Sequence, residues 1–141
     1  MRMPDVNVLV YAVNADSPQH DAARTWIEES LARPAGLGFA WPALIGFLRL
    51  STRSGIFARP LPIDDALSVV DAWLGHPRAR TLTPTTRHAA VLSGLLIGAG
   101  SGGNLVSDAH LAALAIEHGA EFGSFDRDFA RYAGLRWTLL A

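Results

Sequence analysis

The chain has 141 residues, 50% of them hydrophobic and 18% charged, which is a size and composition typical of one folded domain. Its 13 acidic and 12 basic residues nearly cancel, so the formal net charge of −1 draws it neither to nucleic acid nor to an anionic membrane. Every basic residue is arginine, and lysine and cysteine are absent. This excludes P-loop and Schiff-base lysines, disulfides, thiol nucleophiles and thiolate zinc sites.

Apolar runs and turn residues alternate along the first half of the chain and predict strands separated by helices. The apolar start at Met3 predicts a buried strand that gives way, just after Asp5, to a short helix ending at Val13. The elements predicted next are a helix from residue 19 to 31, a strand at 37–40, a helix at 42–52 and a helix at 63–74.

The second half repeats this alternation. It predicts a strand at 80–83, a helix at 86–97, a helix capped by Ser107-Asp108 that runs to 118, a strand at 121–125, a short helix at 126–132 and a strand at 135–140. The segment Gly98–Gly103 is either a flexible connection or a phosphate-binding loop, and the absence of a predicted strand before it favours the connection. The pattern predicts an α/β fold, with residues 1–141 forming one domain whose mostly parallel central sheet is flanked by helices on both faces.

Three aspartates follow predicted strands. Asp5 ends the first strand, Asp126 ends the strand through Phe125, and Asp108 opens the helix after Leu105-Val106. Parallel strands bring such junctions to one edge of a sheet, where ligands bind in open α/β folds. Carboxylates held together repel unless a cation neutralises them, and carboxylate oxygens suit Mg²⁺ and Mn²⁺. The placement therefore indicates metal-assisted phosphodiester hydrolysis.

Each aspartate also has a simpler interpretation. Asp5 or Asp108 alone would serve as the N-cap of a helix, a role that aspartate fills often. Asp126 and Asp128 stand two apart, so on a helix they face different directions and one of them is a cap or an outer residue. The joint placement favours the metal site over these alternatives.

The segments Asp5–Leu9, Gly103–Ala113 and Ser124–Phe129 resemble the three best-preserved motifs of PIN domains, and more narrowly those of the VapC toxins of bacterial VapBC toxin–antitoxin pairs. The resemblance implies a PIN fold and a Mg²⁺- or Mn²⁺-dependent endoribonuclease that a cognate VapB-type antitoxin holds inactive. It further implies a homodimer, with an antitoxin segment bound in a groove near the third helix. The longest apolar run, Ala35–Leu48, is too short to span a bilayer, so we expect a cytoplasmic protein without a membrane segment.

The same resemblance assigns roles to individual residues. It implies that Asp5, Asp108 and Asp126 form the acidic cluster, with Asp5 and Asp108 as metal ligands, that Asp128 is an accessory acid, and that Asn7 and Ser124 orient ligands or water.

One position departs from the family pattern. Family members usually have glutamate in the third helix where this chain has Gly46, in the run Gly46-Phe-Leu-Arg49. The loss of one acid is expected to weaken a metal position, most of all a second one, and Gly46→Glu is expected to strengthen metal binding. The alternative function is a catalytically weakened or inactive PIN module that binds RNA or antitoxin.

Three arginines are candidates for RNA contact, because guanidinium groups bind phosphate in a bidentate manner. Arg49 and Arg53 are predicted four residues apart on the third helix, and Arg127 lies inside the acidic motif. The alternative is that Arg127 pairs with the aspartates beside it and that Arg49 forms a structural salt bridge. His110 and His118, eight apart on one predicted helix, are expected on a solvated face.

Overall fold

A computed structural model describes residues 1–100, 103 and 105–141 of the chain. In these residues, five short strands alternate with six α-helices and one 3₁₀ helix. The strands are β1 (Arg2–Pro4), β2 (Leu37–Phe39), β3 (Ala79–Thr81), β4 (Glu121–Ser124) and β5 (Trp137–Leu139). The helices are α1 (Val6–Val13), α2 (His20–Ala32), α3 (Trp41–Ser51), α4 (Ile63–Leu74), α5 (His88–Ala99), α6 (Leu105–Glu117) and the 3₁₀ helix Arg127–Arg131.

The strands form one sheet in the order β3-β2-β1-β4-β5, and every neighbouring pair is parallel. This confirms the predicted α/β class. The central strand β1 lies between β2 and β4, with Arg2 opposite both Leu37 and Glu121. The carboxyl ends of β1 and β4, and with them Asp5 and Ser124, are therefore neighbours.

Burial explains why the central strands are apolar. Met3 and every residue of β2 are buried, as expected for strands covered on both faces. Helix α2 packs on the sheet through the ring of Trp26. A Cβ added at Gly123 would lie only 2.4 Å from this ring. Glycine at this position of β4 thus lets the indole sit directly on the backbone of the sheet.

The predicted boundaries need two corrections around α6 and α5. Leu105 and Val106 are not a strand but the first residues of α6, whose buried positions begin at Ala109, so the helical pattern extends one turn earlier than predicted. Helix α5 continues through Gly98 and ends at Ala99. Gly100 is its C-cap, with a left-handed φ of 73° and an N–H that donates to the carbonyls of Leu96 and Ile97. The remainder of the predicted glycine-rich connection, Ser101 and Gly102, lies outside the described residues.

Helix α3 begins and ends one residue earlier than predicted, at Trp41 and Ser51. The hydroxyls of Ser51 and Thr52 both donate to the carbonyl of Leu48, a local bond that competes with helix continuation. Arg53 is therefore not on the helix with Arg49, and that prediction was wrong. Across the described ranges, no helix is both long enough and apolar enough to cross a membrane.

Candidate active site

Asp5 joins the first strand to the first helix. It caps α1, with Oδ1 accepting a hydrogen bond from the N–H of Val6 at 2.7 Å. Its Oδ2 accepts from the hydroxyl of Ser124 at 2.7 Å, and the residue is only 6% exposed. The capping interpretation is therefore correct but incomplete, because a cap does not require a second bond or burial of the carboxylate.

Ser124 connects the ends of β1 and β4. Its Oγ donates to Asp5 and accepts from the N–H of Asp126 at 2.9 Å and from the side-chain amide of Asn7 at 3.2 Å. Asn7 in turn accepts from the N–H of Phe125 through Oδ1 at 3.2 Å. The hydroxyl of Ser124 therefore fixes the carboxylate of Asp5 and the backbone at Asp126. The side chain of Asn7 fixes Ser124 and the backbone at Phe125.

A cleft of about 580 Å³ runs from Asp5 to the first turn of α6. Asp5 and Asp108 line it together with Gly46 and Arg49 of α3. Asp108 reaches this place from the N-terminal turn of α6 and not from a strand-to-helix junction, so that part of the prediction was wrong. The apolar wall of the cleft is formed by Trp41, Pro42, Ala43, Ile45 and Leu111.

The 3₁₀ helix carries the other two acids. Asp126 caps it, with Oδ1 accepting from the N–H of Asp128 at 2.9 Å, and is half-buried. The Asp128 side chain is 65% exposed and its Oδ1 lies 3.7 Å from a guanidinium nitrogen of Arg131. As predicted, one of this pair is a cap, and Asp128 lies at the rim.

The acids perturb one another. Burial raises the pKa of Asp5 to about 6, with further upward contributions from Asp108 and Asp126, while the hydrogen bonds from Ser124 and Val6 oppose the shift. Burial also raises the pKa of Asp108, again helped by Asp126 and Asp128. A bound cation would oppose both shifts, because it favours the charged form of each carboxylate.

Two carboxylates, Asp5 and Asp108, line the cleft and supply the hard oxygen ligands that Mg²⁺ and Mn²⁺ prefer. Within the described ranges, no three histidine, aspartate or glutamate side chains converge closely enough to hold one metal ion. Mg²⁺ is commonly held by one or two carboxylates and keeps several water ligands. The pair therefore fits a partly hydrated ion.

Gly46 is buried in α3, on the wall of the cleft. A Cβ added there would lie 2.3 Å from Cγ2 of Val6, the first residue of α1. The glycine thus allows α1 and α3 to approach closely beside Asp5. In the sequence, Gly46 is recognisable only as a missing acid, because its packing role depends on a contact between two helices that are distant in the chain.

The arginine candidates separate in space. Arg49 lines the cleft, whereas Arg53 lies beyond the end of α3 and Arg127 is exposed on the 3₁₀ helix. Ion pairs among the described residues involve Arg24, Arg131 and His88. The alternatives in which Arg49 or Arg127 forms a structural salt bridge are therefore wrong for this part of the chain.

Tyr132 is a buried neighbour of the acids that sequence analysis does not single out. Its hydroxyl donates to the carbonyl of Leu105 at 3.3 Å and so ties the end of the 3₁₀ helix to the start of α6. Burial, followed by the charge of Asp108, raises its pKa. The only signal in the sequence is a tyrosine shortly after the third motif.

The histidine prediction also needs correction. His110 is not on a solvated face: its Nδ1 lies 3.0 Å from Nε2 of His88, whose Nδ1 lies 2.5 Å from Oε2 of Glu117. The side chain of Glu117 is 0% exposed and also accepts from the N–H and hydroxyl of Thr85. This polar chain fastens α5 to α6 away from the cleft.

The family model described as PIN domain matches residues 2–135. The chain belongs to the PIN domain family. A curated relative, Ribonuclease VapC37 of Mycobacterium tuberculosis, is 47% identical over 137 residues, covering 97% of this chain and 95% of its own. Ribonuclease VapC33 of the same species is 43% identical over 138 residues, covering 98% and 96%. The expected PIN family and its α/β fold are thus confirmed.

Solved structures share the PIN fold at low identity. VapBC2 from Rickettsia felis, bound to a DNA fragment from its promoter, superposes with a TM-score of 0.73 at 19% identity, covering 99% of this chain and 98% of that one. VapC20 of Mycobacterium tuberculosis, described as a sarcin-ricin loop cleaving toxin, gives a TM-score of 0.68 at 18% identity, with 96% and 99% covered. At such identities the likeness concerns the fold of this PIN domain.

Proposed function

We propose that this PIN domain is the toxin of a type II toxin–antitoxin pair, an endoribonuclease that hydrolyses RNA phosphodiester bonds at the acidic edge of its sheet. The observation that carries the proposal is the buried Asp5 carboxylate, held by Ser124 beside Asp108 in a cleft that also contains Arg49. Relatives that align over nearly the whole chain and are named ribonucleases support it. They also disfavour the inactive-module alternative.

In this proposal Asp5 and Asp108 hold Mg²⁺ or Mn²⁺. When bound, the ion polarises the phosphate and lowers the pKa of water. The residues of the chain prepare its place: Ser124 and the N–H of Val6 fix both oxygens of Asp5, so the carboxylate does not have to be ordered on binding. Asn7 fixes Ser124 in turn.

The remaining site residues act around this pair. Asp126 adds negative charge that favours a cation, and Asp128 at the rim serves as an accessory acid. Arg49 lies in the same cleft and binds a phosphate of the RNA through its guanidinium group. Arg53 and Arg127, both exposed and outside the lining of the cleft, extend the contact to phosphates further along the strand.

The proposed partners are a VapB-type antitoxin and a second copy of the chain, in the cytoplasm. The apolar wall beside the acids, with Trp41 46% and Ile45 54% exposed, is suited to an antitoxin segment. The structure from Rickettsia felis that shares the fold of this chain is a VapBC complex, which supports a partner of this type.

The test is RNA cleavage by the purified chain with Mg²⁺ or Mn²⁺, compared with the same reaction in a chelator. Asp108→Asn is expected to abolish cleavage, and Ser124→Ala to lower it, while Asp65→Asn, on the exposed first turn of α4, serves as the matched control. Calorimetry of Asp5→Ala and Asp108→Ala measures metal affinity directly. Unchanged affinity in both variants would refute the assigned metal site.

A further inference from the structure

Arginines mark the amino-terminal edge of the sheet, opposite the acids. Arg2 begins β1, Arg33 lies in the turn before β2, Arg78 directly precedes β3 and Arg136 directly precedes β5. Because all strands are parallel, these residues come to one edge. Asp5 and Asp126 follow β1 and β4 at the other edge. Although the net charge is near zero, these arginines and aspartates lie at opposite edges of the sheet.

Three of these arginines line one small cleft. A volume of about 100 Å³ is lined by Arg2, Arg33 and Arg136, together with Met1, Ala35, Gly36 and Glu121. Among the described residues, no carboxylate lies within 4 Å of any of these three guanidinium groups in an ion pair. Among the described residues, the cleft thus brings together three guanidinium groups that form no ion pair, and the carboxylate of Glu121.

Arg2 adds an independent observation. Its guanidinium group is held in place, with one terminal nitrogen donating to Ser30 at 3.3 Å and the carbon lying 5.3 Å from the centre of the Trp26 ring. Its Nε is buried and has no hydrogen-bond acceptor among the described residues. A buried donor without an acceptor is costly, and a charged one more so.

We propose that this cleft is an anion site that binds one phosphate group. The planar guanidinium forks of Arg33 and Arg136 suit the oxygens of a tetrahedral phosphate, and their charge strengthens such bonds. The volume accommodates the phosphate but not a nucleobase, so the rest of the ligand lies outside. The phosphate comes either from a free or mononucleotide phosphate or from a polynucleotide strand.

The proposal does not depend on catalysis at the acidic edge. Arg2 begins β1 and Asp5 directly follows its last residue, roughly 10 Å away along the strand axis. Binding at the cleft is therefore measured without divalent metal, under conditions where any RNA remains intact. Loss of RNA cleavage and loss of this site are separate results.

The experiment is a titration of the ¹⁵N-labelled chain with inorganic phosphate at constant ionic strength, in a chelator. Saturable shifts are expected at the amides of Gly36 and Glu121, which border the cleft, and not with chloride. Arg33→Gln is expected to weaken binding about tenfold, as for loss of a charged hydrogen bond. Arg59→Gln, an exposed arginine outside the cleft, should bind phosphate as the wild type does.

Two further titrations, with a mononucleotide and with a single-stranded oligonucleotide, identify the source of the phosphate. A mononucleotide that saturates the same amides, while a single-stranded oligonucleotide does not, assigns the site to small phosphates; the reverse result assigns it to a strand. Arg136→Gln is a second variant, checked by thermal unfolding because Arg136 also donates to the carbonyl of Gly119. Shifts that do not saturate, or that persist unchanged in both arginine variants, overturn the proposal.

Discussion

A methyl group added at Gly46 tests the close approach of α1 and α3. Its carbon would lie 2.3 Å from Cγ2 of Val6, well inside van der Waals contact. The side chain of Val6 is β-branched, so its rotation within a helix is restricted. Gly46→Ala therefore forces the two helices or the valine to move, beside the carboxylate of Asp5.

Two opposing effects set the magnitude. Replacing glycine with alanine inside a helix stabilises by about 0.5–1 kcal/mol. Overpacking of a tight contact costs about 1–3 kcal/mol. Gly46→Ala is thus expected to lower the free energy of unfolding by about 0 to 2.5 kcal/mol. In a Val6→Ala background the obstructing methyl is absent, and Gly46→Ala should stabilise by the full helix effect.

The assay is urea unfolding of the four chains of this double-mutant cycle, followed by circular dichroism without metal. A coupling energy of about 1–3 kcal/mol between the two positions is expected. Gly94→Ala is the matched control, because that glycine lies inside α5 with nothing within 4 Å of an added Cβ. Effects at Gly46 and Val6 that add within about 0.5 kcal/mol would refute the packing argument.

The close contact between Gly46 and Val6 also limits how a glutamate at position 46 could strengthen metal binding. We predict that Gly46→Glu raises Mn²⁺ affinity only when combined with Val6→Ala, since the native valine occupies the place of its Cβ. Isothermal titration of the single and double variants measures this. An equal gain in both would show that the helices yield to the larger side chain without cost.

Three further predictions concern titration and RNA contact. Because the pKa of Asp5 is raised from 3.8 to about 6, its carboxyl group stabilises the metal-free chain below pH 3.8, and this stability is lost as pH rises through 6. Over that interval the free energy of unfolding of the wild type should fall, relative to that of Asp5→Asn, by up to about 1.4 kcal/mol per pH unit. Burial opposes ionisation of Glu117, but the hydrogen bonds from Thr85 outweigh it and lower the pKa, so the stability that this carboxylate adds is present above pH 4.5 and lost as pH falls. Glu117→Gln should therefore lower the free energy of unfolding by about 1–3 kcal/mol at pH 7 and by less in acid. The control Glu29→Gln, at an exposed position, should have no effect at either pH. Arg49→Gln should weaken RNA binding and reduce its log–log salt slope by about 1, whereas Arg59→Gln should not; equal slopes would argue against phosphate contact by Arg49.

The order of strands and helices follows from the sequence because apolar runs and turn residues are local signals. The junction at Asp5 is also predictable, since a buried strand and a helical pattern meet there. Asp108 is harder to place. Its helix begins with Leu105-Val106, an apolar pair that suits a strand equally well, and the choice is made by packing of the later residues of α6.

Contacts between distant segments lie beyond sequence reasoning of this kind. Gly46 looks like a missing acid until Val6 is placed beside it. His110 looks solvent-facing until the packing of α5 on α6 brings His88 to its ring. In both cases the deciding neighbour is on another helix, at a separation for which neither periodicity nor spacing carries information.

The bond between Asp5 and Ser124 joins residues 119 positions apart. Strand β1 is synthesised well before its neighbour β4, which ends in the serine that fixes Asp5. Because domains fold as units during translation, the site assembles only after β4 has been made. A chain terminated before Ser124 therefore contains Asp5 without the hydrogen bond that holds its carboxylate.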